Sequence, residues 1–329
     1  MNEPANYQHK MSQKYYKIDT DRTIPFIVGP TAVGKTGIAI ELAQQMDGEI
    51  ISVDSRQIYR KLDIGTAKPD RDECKKVEHH LIDIVDPGQR ISAGKYREMA
   101  LKKVEELLGQ DKLPIFVGGS GMYIRAVTQG FFQGSKTDPE VRQQVKEELK
   151  GKGKEALYQR LKKLDPQYAE KIHVNDTKRI TRALEIYRIN GKPPTELYRE
   201  QKKNPPFPHI IIGLKMDRKK LYRKINSRVD EMIEEGLIEE VERLRKQGYK
   251  EALGEIKTVG YYELSLYFDG EIGKEEAINK IKQNTRQYAK RQLSWFRNQA
   301  ETIWIDITNR SKQEVVAEIL KLYQGAHEQ

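Results

Sequence analysis

The chain has 329 residues, a length typical of about two domains, and its 59 Lys and Arg residues against 49 Asp and Glu residues give a net charge of +10. No apolar run is long enough to cross a membrane, residues 1–20 lack the apolar segment of a signal peptide, and a single cysteine, Cys74, excludes an internal disulfide. We therefore expect a cytoplasmic protein without a membrane partner, a mobile tail over residues 1–20, and enough positive charge for a polyanionic partner.

A phosphate loop follows the first predicted strand, the short apolar run of residues 24–28. The loop fills the pattern G-x-x-x-x-G-K-[ST] with Gly29, Pro30, Thr31, Ala32, Val33, Gly34, Lys35 and Thr36. Its glycines let backbone N–H groups approach phosphate oxygens, Lys35 adds a positive charge, and the Thr36 hydroxyl is placed to bind Mg²⁺. Apolar residues at helical spacing between Ile38 and Met46 predict a helix whose N-terminus faces the same anion. The sequence therefore predicts a polyphosphate site.

Asp54 follows the second predicted strand, residues 49–53. Ligands of open α/β sheets bind beyond the carboxyl ends of the strands, so we expect Asp54 to share a crevice with the phosphate loop. Two interpretations of this carboxylate are open. It is either a general base or the N-cap of a following helix.

Residues 80–85 and 113–117 predict a third and a fourth strand, separated by a helix over residues 92–108. The fourth strand runs into the glycine loop, Gly118-Gly119-Ser120-Gly121, whereas many phosphate-loop ATPases carry a Mg²⁺-binding Asp there. Glycines at this point fit either the close approach of a bulky ligand or a tight turn from strand to helix.

Four ordered motifs resemble the tRNA dimethylallyltransferase family, and the resemblance extends from about Ile24 to Arg297. The motifs are Gly29-Pro30-Thr31-Ala32-x-Gly34-Lys35-Thr36, Ser52-Val53-Asp54-Ser55-x-Gln57-x-Tyr59, Asp63-Ile64-Gly65-Thr66-Ala67-Lys68-Pro69 and Val117-Gly118-Gly119-Ser120-Gly121-x-Tyr123. The resemblance implies an enzyme that transfers a dimethylallyl group from its diphosphate to N6 of the adenosine 3′ of the anticodon (tRNA position 37). It also implies that the phosphate loop grips the diphosphate of this donor rather than ATP.

Residues 131–205 predict an all-helical domain inserted into a phosphate-loop α/β core with a parallel sheet, residues 21–130 and 206–329. Asp138-Pro139 and Asp165-Pro166 are typical helix starts, and a third helix is predicted from about Thr177 to Ile189. The insert holds 18 Lys and Arg residues against 11 Asp and Glu residues, so it carries +7 of the net charge. This concentration favours an RNA-binding arm, and the alternative is a set of solvated helix faces.

The C-terminal part of the core predicts one more strand, residues 209–214, and two basic helices. The first helix, residues 217–230, carries Arg228, whose guanidinium has the geometry to bind two phosphate oxygens. The second contains the run from Thr285 to Arg297. Along this helix Lys282, Arg286, Lys290 and Arg297 form a basic stripe that predicts contact with a nucleic-acid backbone. Trp295 and Trp304 are expected in the core.

The resemblance assigns further roles to matching residues. It implies that Arg228 contacts the donor diphosphate and that Lys35, Thr36, Asp54 and Arg228 form the catalytic group. It implies that tRNA is contacted by Asp54, Ser55, Arg56, Gln57, Ser120, Arg142, Lys178, Arg179, Ile180, Thr181, Arg182, Ile256, Lys257, Thr258, Val259, Gly260 and Tyr261. To these the basic stripe adds Arg286 and Lys290 as predicted contacts.

Three other functions fit parts of the sequence. A small-molecule kinase would use the same phosphate loop with Asp54 as base, but it has little use for a basic helical insert. A nucleotide-switched RNA-binding protein would need a motif that recognises a nucleotide base, and we find none. An adenylate prenyltransferase acts on a free nucleotide, which does not require the basic insert. We therefore expect a monomeric, Mg²⁺-dependent prenyltransferase that binds dimethylallyl diphosphate and the tRNA anticodon stem-loop.

Overall fold

The computed structural model describes residues 17–130, 138–200, 205–299 and 301–327. Its strands are β1 (Ile24–Val28), β2 (Gly48–Val53), β3 (His79–His80), β4 (Leu113–Gly118), β5 (His209–Lys215) and β6 (Thr302–Asp306). Its α-helices are α1 (Lys35–Gln45), α2 (Arg71–Lys76), α3 (Ala93–Gly109), α4 (Gly121–Gln129), α5 (Pro139–Leu164), α6 (Pro166–Ala169), α7 (Thr177–Asn190), α8 (Pro194–Glu200), α9 (Arg218–Glu234), α10 (Leu237–Leu244), α11 (Lys250–Ile256), α12 (Tyr261–Phe268), α13 (Lys274–Gln299) and α14 (Lys312–His327). No helix in these ranges is both long and apolar enough to cross a membrane.

The six strands form one parallel sheet in the order β3-β2-β4-β1-β5-β6. Strand β1 lies near the centre, with Phe26 opposite Phe116 of β4 and Ile211 of β5, and all of its residues are buried. Helices cover both faces of the sheet, so the central strands β1, β4 and β5 are runs of mostly buried, apolar residues. The predicted α/β core is confirmed, and the carboxyl ends of β1, β2, β4 and β5 meet at one edge.

Two buried clusters pack on the two faces of this sheet. On one face Phe26 stacks on Phe116 with ring centroids 4.4 Å apart, and Trp295 and Trp304 pack against the same cluster as predicted. On the other face Ile27 packs in a cluster with apolar residues of α1 and α14. Burying each apolar side chain of this kind stabilises the folded state by about 1.5–3 kcal/mol. The two clusters therefore stabilise the sheet whose carboxyl edge carries the functional residues.

The chain divides into two compact units, one of Lys17–Thr128 with Pro205–Gln329 and one that contains Gln129–Asn204. The second unit is helical over its described residues, from α5 to α8. Asp138 and Asp165 cap α5 and α6 as predicted, and α7 ends at Gly191, which has a φ of 67°. Its core consists of Val145, Leu157, Leu161, Ala169, Ile172, Ile180, Ala183 and Leu184.

The prediction of the third strand is wrong in its length. The sequence predicts a strand over residues 80–85, whereas β3 covers only His79–His80. Leu81 and Asp83 have φ values of 60° and 53°, which a strand does not accommodate. The N–H groups of Ile84 and Val85 donate to the carbonyl of Ile58 at 2.9 and 3.0 Å, so this segment bonds to the loop after Asp54 instead.

The predicted N-terminal tail extends too far into the chain. Residues 1–16 lie outside the described residues, but Ile18 is 6% exposed and belongs to the core. Its N–H donates to the carbonyl of Pro206 at 2.8 Å. The predicted boundary of the tail at residue 20 is therefore wrong, because Ile18 already packs in the core.

Candidate active site

A crevice opens at the carboxyl edge of the sheet, where the phosphate loop, the ends of β2 and β4, and helices α9 and α13 meet. It is lined by Thr31, Lys35, Thr36, Ile50, Ser52, Asp54, Gln57, Thr66, Ala67, Pro69, His79, Val117, Gly118, Arg228 and Gln292. All four predicted catalytic residues, Lys35, Thr36, Asp54 and Arg228, are among them. Residues from distant parts of the chain therefore face one cavity, as the carboxyl-edge argument predicts.

The phosphate loop holds its lysine over its own backbone. Lys35 Nζ donates to the carbonyls of Gly29 and Pro30 at 3.1 and 2.8 Å. Gly29 has a φ of 149°, and a Cβ there would lie 2.6 Å from the Leu214 carbonyl oxygen, so close packing on β5 requires this glycine. The Val33 side chain is buried in the core, so this residue offers a ligand only its backbone.

Two cations of the crevice lie in a desolvated environment. Burial lowers the pKa of Lys35 to about 8, an effect that Asp54 opposes and Arg228 strengthens. Burial likewise lowers the pKa of the half-buried Arg228, with Asp54 again opposing. A diphosphate in the crevice would remain strongly attracted, because opposite charges interact more strongly where water is excluded.

The structure separates the two interpretations of Asp54. Its Oδ1 accepts the N–H of Arg56 at 2.8 Å, and residues 55–58 form a turn. No helix begins at this point, so the helix N-cap interpretation is wrong. Burial raises the pKa of Asp54 above its usual value, while the Arg56 N–H and the charge of Lys35 act in the opposite direction. A carboxylate with a raised pKa in a cavity suits a general base.

The residues that follow Asp54 are held by protein contacts. The Ser55 N–H donates to Ser120 Oγ at 2.9 Å, and Arg56 Nη1 donates to the Ile256 carbonyl at 3.1 Å. Gln57 Nε2 donates to the carbonyl of Ala67 at 2.9 Å. Ser55, Arg56 and Gln57 are half-buried and Ser120 is 8% exposed, and of these predicted tRNA contacts Gln57 lines the crevice.

The segment from Ile256 to Tyr261 is less accessible than the resemblance implies. Tyr261 is 0% exposed, and its hydroxyl donates to Glu240 and accepts the Gly65 N–H at 3.2 Å. Thr258 is 4% exposed, so side-chain contacts of Thr258 and Tyr261 with tRNA are contradicted. Ile256 and Val259 are half-buried and Gly260 is buried. Lys257 is the exposed member of this segment.

We expect Tyr261→Phe to lower the free energy of unfolding by about 1–3 kcal/mol, the usual cost of leaving a buried polar group without its partner. The reason is that Glu240, 1% exposed, would lose the Tyr261 hydroxyl and keep the Ile64 N–H at 3.1 Å. Urea denaturation measures the change. Tyr262→Phe, on the half-buried neighbour, is the control and should stay within about 0.5 kcal/mol of the wild type. Equal effects of the two variants would contradict the assigned contact.

The predicted tRNA contacts of the helical unit fall into exposed and buried groups. The exposed members are Arg142, Lys178 and Arg179. Ile180 is 0% exposed in the core of the unit, so its side chain offers no surface to tRNA. Arg182 Nη1 donates to Glu185 at 3.0 Å, and Thr181 Oγ1 donates within its own helix to the carbonyl of Thr177 at 2.8 Å. The exposed face of α7 is therefore formed around Lys178 and Arg179.

The basic stripe of α13 is partly used in packing. Lys282 pairs with Asp230 of α9 at 2.5 Å, and Arg286 Nη1 donates to Asn226 of the same helix at 2.6 Å. Lys290, one turn further on, is exposed. The first half of the stripe thus joins two helices, and Lys290 remains at the surface.

The sequence predicts no role for six residues that line the crevice, Ser52, Thr66, Ala67, Pro69, His79 and Gln292. The first four lie in the motifs that carry the family resemblance, but the resemblance assigns no function to them. His79 Nδ1 lies 2.8 Å from the Val77 carbonyl, which leaves Nε2 as a buried acceptor with no partner among the described residues. Gln292 lies in the run from Thr285 to Arg297. Nothing in the sequence distinguishes it there from a polar residue on a solvent-exposed helix face.

The chain is similar to known proteins over most of its length. A model of the IPP transferase family matches residues 57–299. A tRNA dimethylallyltransferase of Acetivibrio thermocellus is 45% identical over 299 residues, 90% of this chain and 96% of the relative. One of Thermotoga maritima is 44% identical over 299 residues, 91% of this chain and 97% of the relative.

Two solved structures are similar over most of the chain. The full-length tRNA isopentenylpyrophosphate transferase of Bacillus halodurans has a TM-score of 0.70 and 40% identity, covering 93% of this chain and 97% of that one. A eukaryotic dimethylallyltransferase acting on tRNA has a TM-score of 0.80 and 27% identity, covering 92% of this chain and 80% of that one.

Proposed function

This chain belongs to the IPP transferase family, and we propose that it transfers a dimethylallyl group from dimethylallyl diphosphate to N6 of the adenosine 3′ of the anticodon, position 37 of tRNA. One observation carries this proposal. A phosphate loop and Arg228 line the same crevice as Asp54, so groups for a departing diphosphate face a carboxylate that accepts a proton. This arrangement suits attack by a weakly basic amine.

The reaction forms a bond between N6 and C1 of the prenyl chain and breaks the bond from C1 to the diphosphate oxygen, which leaves with the electron pair. The N6 lone pair is delocalised into the adenine ring, so the amine reacts only if its proton leaves as the new bond forms. Asp54 accepts that proton. Lys35, the loop N–H groups and Arg228 stabilise the developing charge on the diphosphate.

The acceptor base must enter the crevice from the anticodon loop. A stacked but unpaired base flips out at a cost of a few kcal/mol, which is less than a base pair would demand. The exposed cations Arg142, Lys178 and Arg179 suit the phosphates of the adjoining stem. One copy of the chain carries all of these groups, so we expect a monomer, and its tRNA acceptor points to the cytoplasm.

Mg²⁺ fits the oxygen donors of the crevice. The Thr36 hydroxyl and the Asp54 carboxylate line the same cavity, and Mg²⁺ prefers oxygen ligands while keeping several waters. Thr36 would hold the ion together with the donor diphosphate. When bound, the ion would neutralise charge on the leaving diphosphate.

We expect the double variant Lys178→Ala with Arg179→Ala to raise the KM for tRNA and to flatten its salt dependence. Each lost phosphate contact reduces the slope of log K against log salt by about one. The KM for the donor should hardly change. Lys162→Ala with Lys163→Ala removes the same charge from exposed positions of α5 and serves as the control. Equal effects of the two double variants would mean that total charge, rather than the face of α7, binds tRNA.

Labelled dimethylallyl diphosphate tests the proposed function against its alternatives. The enzyme is incubated with this donor and with tRNA or AMP, and ATP hydrolysis is followed in parallel. We expect label in tRNA, none in AMP, and no tRNA-independent ATP hydrolysis. Label in AMP would favour an adenylate prenyltransferase, and robust ATP hydrolysis would favour a kinase.

A further inference from the structure

Gln292 of α13 joins two loops that form the crevice. Its Oε1 accepts the N–H of Thr31 in the phosphate loop at 2.9 Å, and its Nε2 donates to the carbonyl of Gly119 at 3.1 Å. The side chain is 5% exposed, so both hydrogen bonds are shielded from water. A single amide therefore connects the end of β1 with the end of β4.

The glycine loop lies unusually close to α13. A Cβ at Gly119 would lie 2.0 Å from Gln292 Nε2, and a Cβ at Gly121 would lie 2.3 Å from the ring of Trp295. A side chain at either position would therefore have to displace the Gln292 amide or the Trp295 ring. The glycines thus allow close approach by the protein's own helix, which is a third explanation besides ligand access and a tight turn.

The contacts continue from the glycine loop to the segment that carries Asp54. Ser120 Oγ accepts the N–H of Ser55 at 2.9 Å, and the Ser120 N–H donates to the carbonyl of Val53 at 3.1 Å. Val53 and Ser55 flank Asp54 in the chain. Gln292 and the glycine loop therefore link the loop proposed to hold the diphosphate with the two neighbours of the proposed base.

We propose that Gln292 is a positioning residue that fixes the phosphate loop relative to Asp54, and hence the prenyl C1 relative to the base that deprotonates N6. The proposal rests on the proposed function for its catalytic consequence. Gln292 acts through Thr31 and Gly119. A displacement of about 1 Å between reacting groups costs as much as 10²-fold in rate, so a loose connection would lower turnover without abolishing binding.

The test uses Gln292→Met, which keeps the approximate volume of the side chain and removes both hydrogen bonds. We expect kcat to fall by about 10- to 100-fold, with the KM values for donor and tRNA changed less than about threefold. The amide of Thr31 should exchange its hydrogen faster, because it loses its acceptor. Gln287→Met, an exposed position on the same helix, is the control and should change neither quantity.

Gln292→Asn provides a second variant with the same amide group on a shorter chain. It should span at most one of the two partners and give a smaller fall in kcat than Gln292→Met. An unchanged kcat in Gln292→Met, or unchanged exchange at Thr31, overturns the proposal. Wild-type transfer is measured in the same assay, so an inactive wild type marks failure of the proposed function, whereas an active Gln292→Met variant marks failure of this inference.

Discussion

Asp54→Asn is expected to lower kcat by about 10²–10⁴, the usual contribution of a general base, while both substrates still bind. The amide keeps the shape of the side chain and the acceptor that holds the Arg56 N–H at 2.8 Å. It removes the negative charge and with it the capacity to accept a proton from N6. Single-turnover rates with saturating donor and tRNA measure the chemical step, and equilibrium binding measures the two affinities.

The pH dependence of kcat/KM gives a second readout of the same variant. Asp54 must be ionised, and because burial raises its pKa, the rate should fall as the pH drops through that raised value. Lys35 must be protonated, so the rate should also fall as the pH rises through about 8. In Asp54→Asn the acidic decline should disappear. The basic decline should move to lower pH, because Asp54 no longer raises the pKa of Lys35.

Two results would contradict this role of Asp54. Normal turnover in Asp54→Asn would mean that Asp54 is not the base and that its role is to accept the Arg56 N–H. A variant whose loss of rate matches a loss of donor or tRNA affinity would make Asp54 a binding residue, and the base would have to lie elsewhere in the crevice.

Lys35→Ala and Arg228→Ala are each expected to lower turnover by about 10²–10³, the usual effect of removing one preorganised donor from a developing anion. Both side chains line the crevice, and both are desolvated. Affinity for dimethylallyl diphosphate should also fall, since the ground-state diphosphate already carries charge. Single-turnover kinetics over a range of donor concentrations separates the two effects.

Two further variants, Arg228→Lys and Arg223→Ala, test whether the effect of Arg228→Ala is specific to the guanidinium at this position. Lysine keeps the charge but not the paired donors of a guanidinium, so Arg228→Lys should be intermediate. Arg223 is exposed on the same helix, and its removal should leave turnover unchanged. Full activity in both Lys35→Ala and Arg228→Ala would refute the assignment of the diphosphate site.

The parts of the fold that the sequence predicts are those with strong local signals. Strand β1, the phosphate loop and α1 follow from an apolar run, fixed glycine spacing and helical periodicity. Helix α7, predicted from about Thr177 to Ile189, ends at Gly191, whose φ of 67° is typical of the residue after a helix. These signals arise from residues that are close in the sequence, so the elements can be predicted without knowledge of the tertiary structure.

Other features depend on contacts between distant residues. Strand β3 stops at His80 because Leu81 and Asp83 adopt positive φ, and Asp83 is held by Lys68, which also pairs with Asp63 at 2.6 Å. Edge strand β6 has Ile303 44% exposed and lacks the continuous burial of β1, so its sequence pattern is weak. No periodicity reveals either feature.

The site shows the same division. Lys35, Thr36 and Asp54 are predicted because motif spacing and strand ends place them at one edge. The burial of Ile180 and Tyr261 is not predicted. A motif match assigns one role to a whole run of residues and does not separate those that face the core from those that face solvent. Gln292 is missed because its partners, Thr31 and Gly119, lie far away in the chain.

The most direct test of the central claim is the nucleoside composition of tRNA after reaction. Unmodified tRNA is incubated with the wild-type enzyme and dimethylallyl diphosphate, digested, and analysed by mass spectrometry with mapping of the modified fragment. We predict N6-dimethylallyladenosine directly 3′ of the anticodon and free diphosphate in equal amount. Intact, unmodified adenosine at that position, or the prenyl group on another nucleoside, would contradict the account.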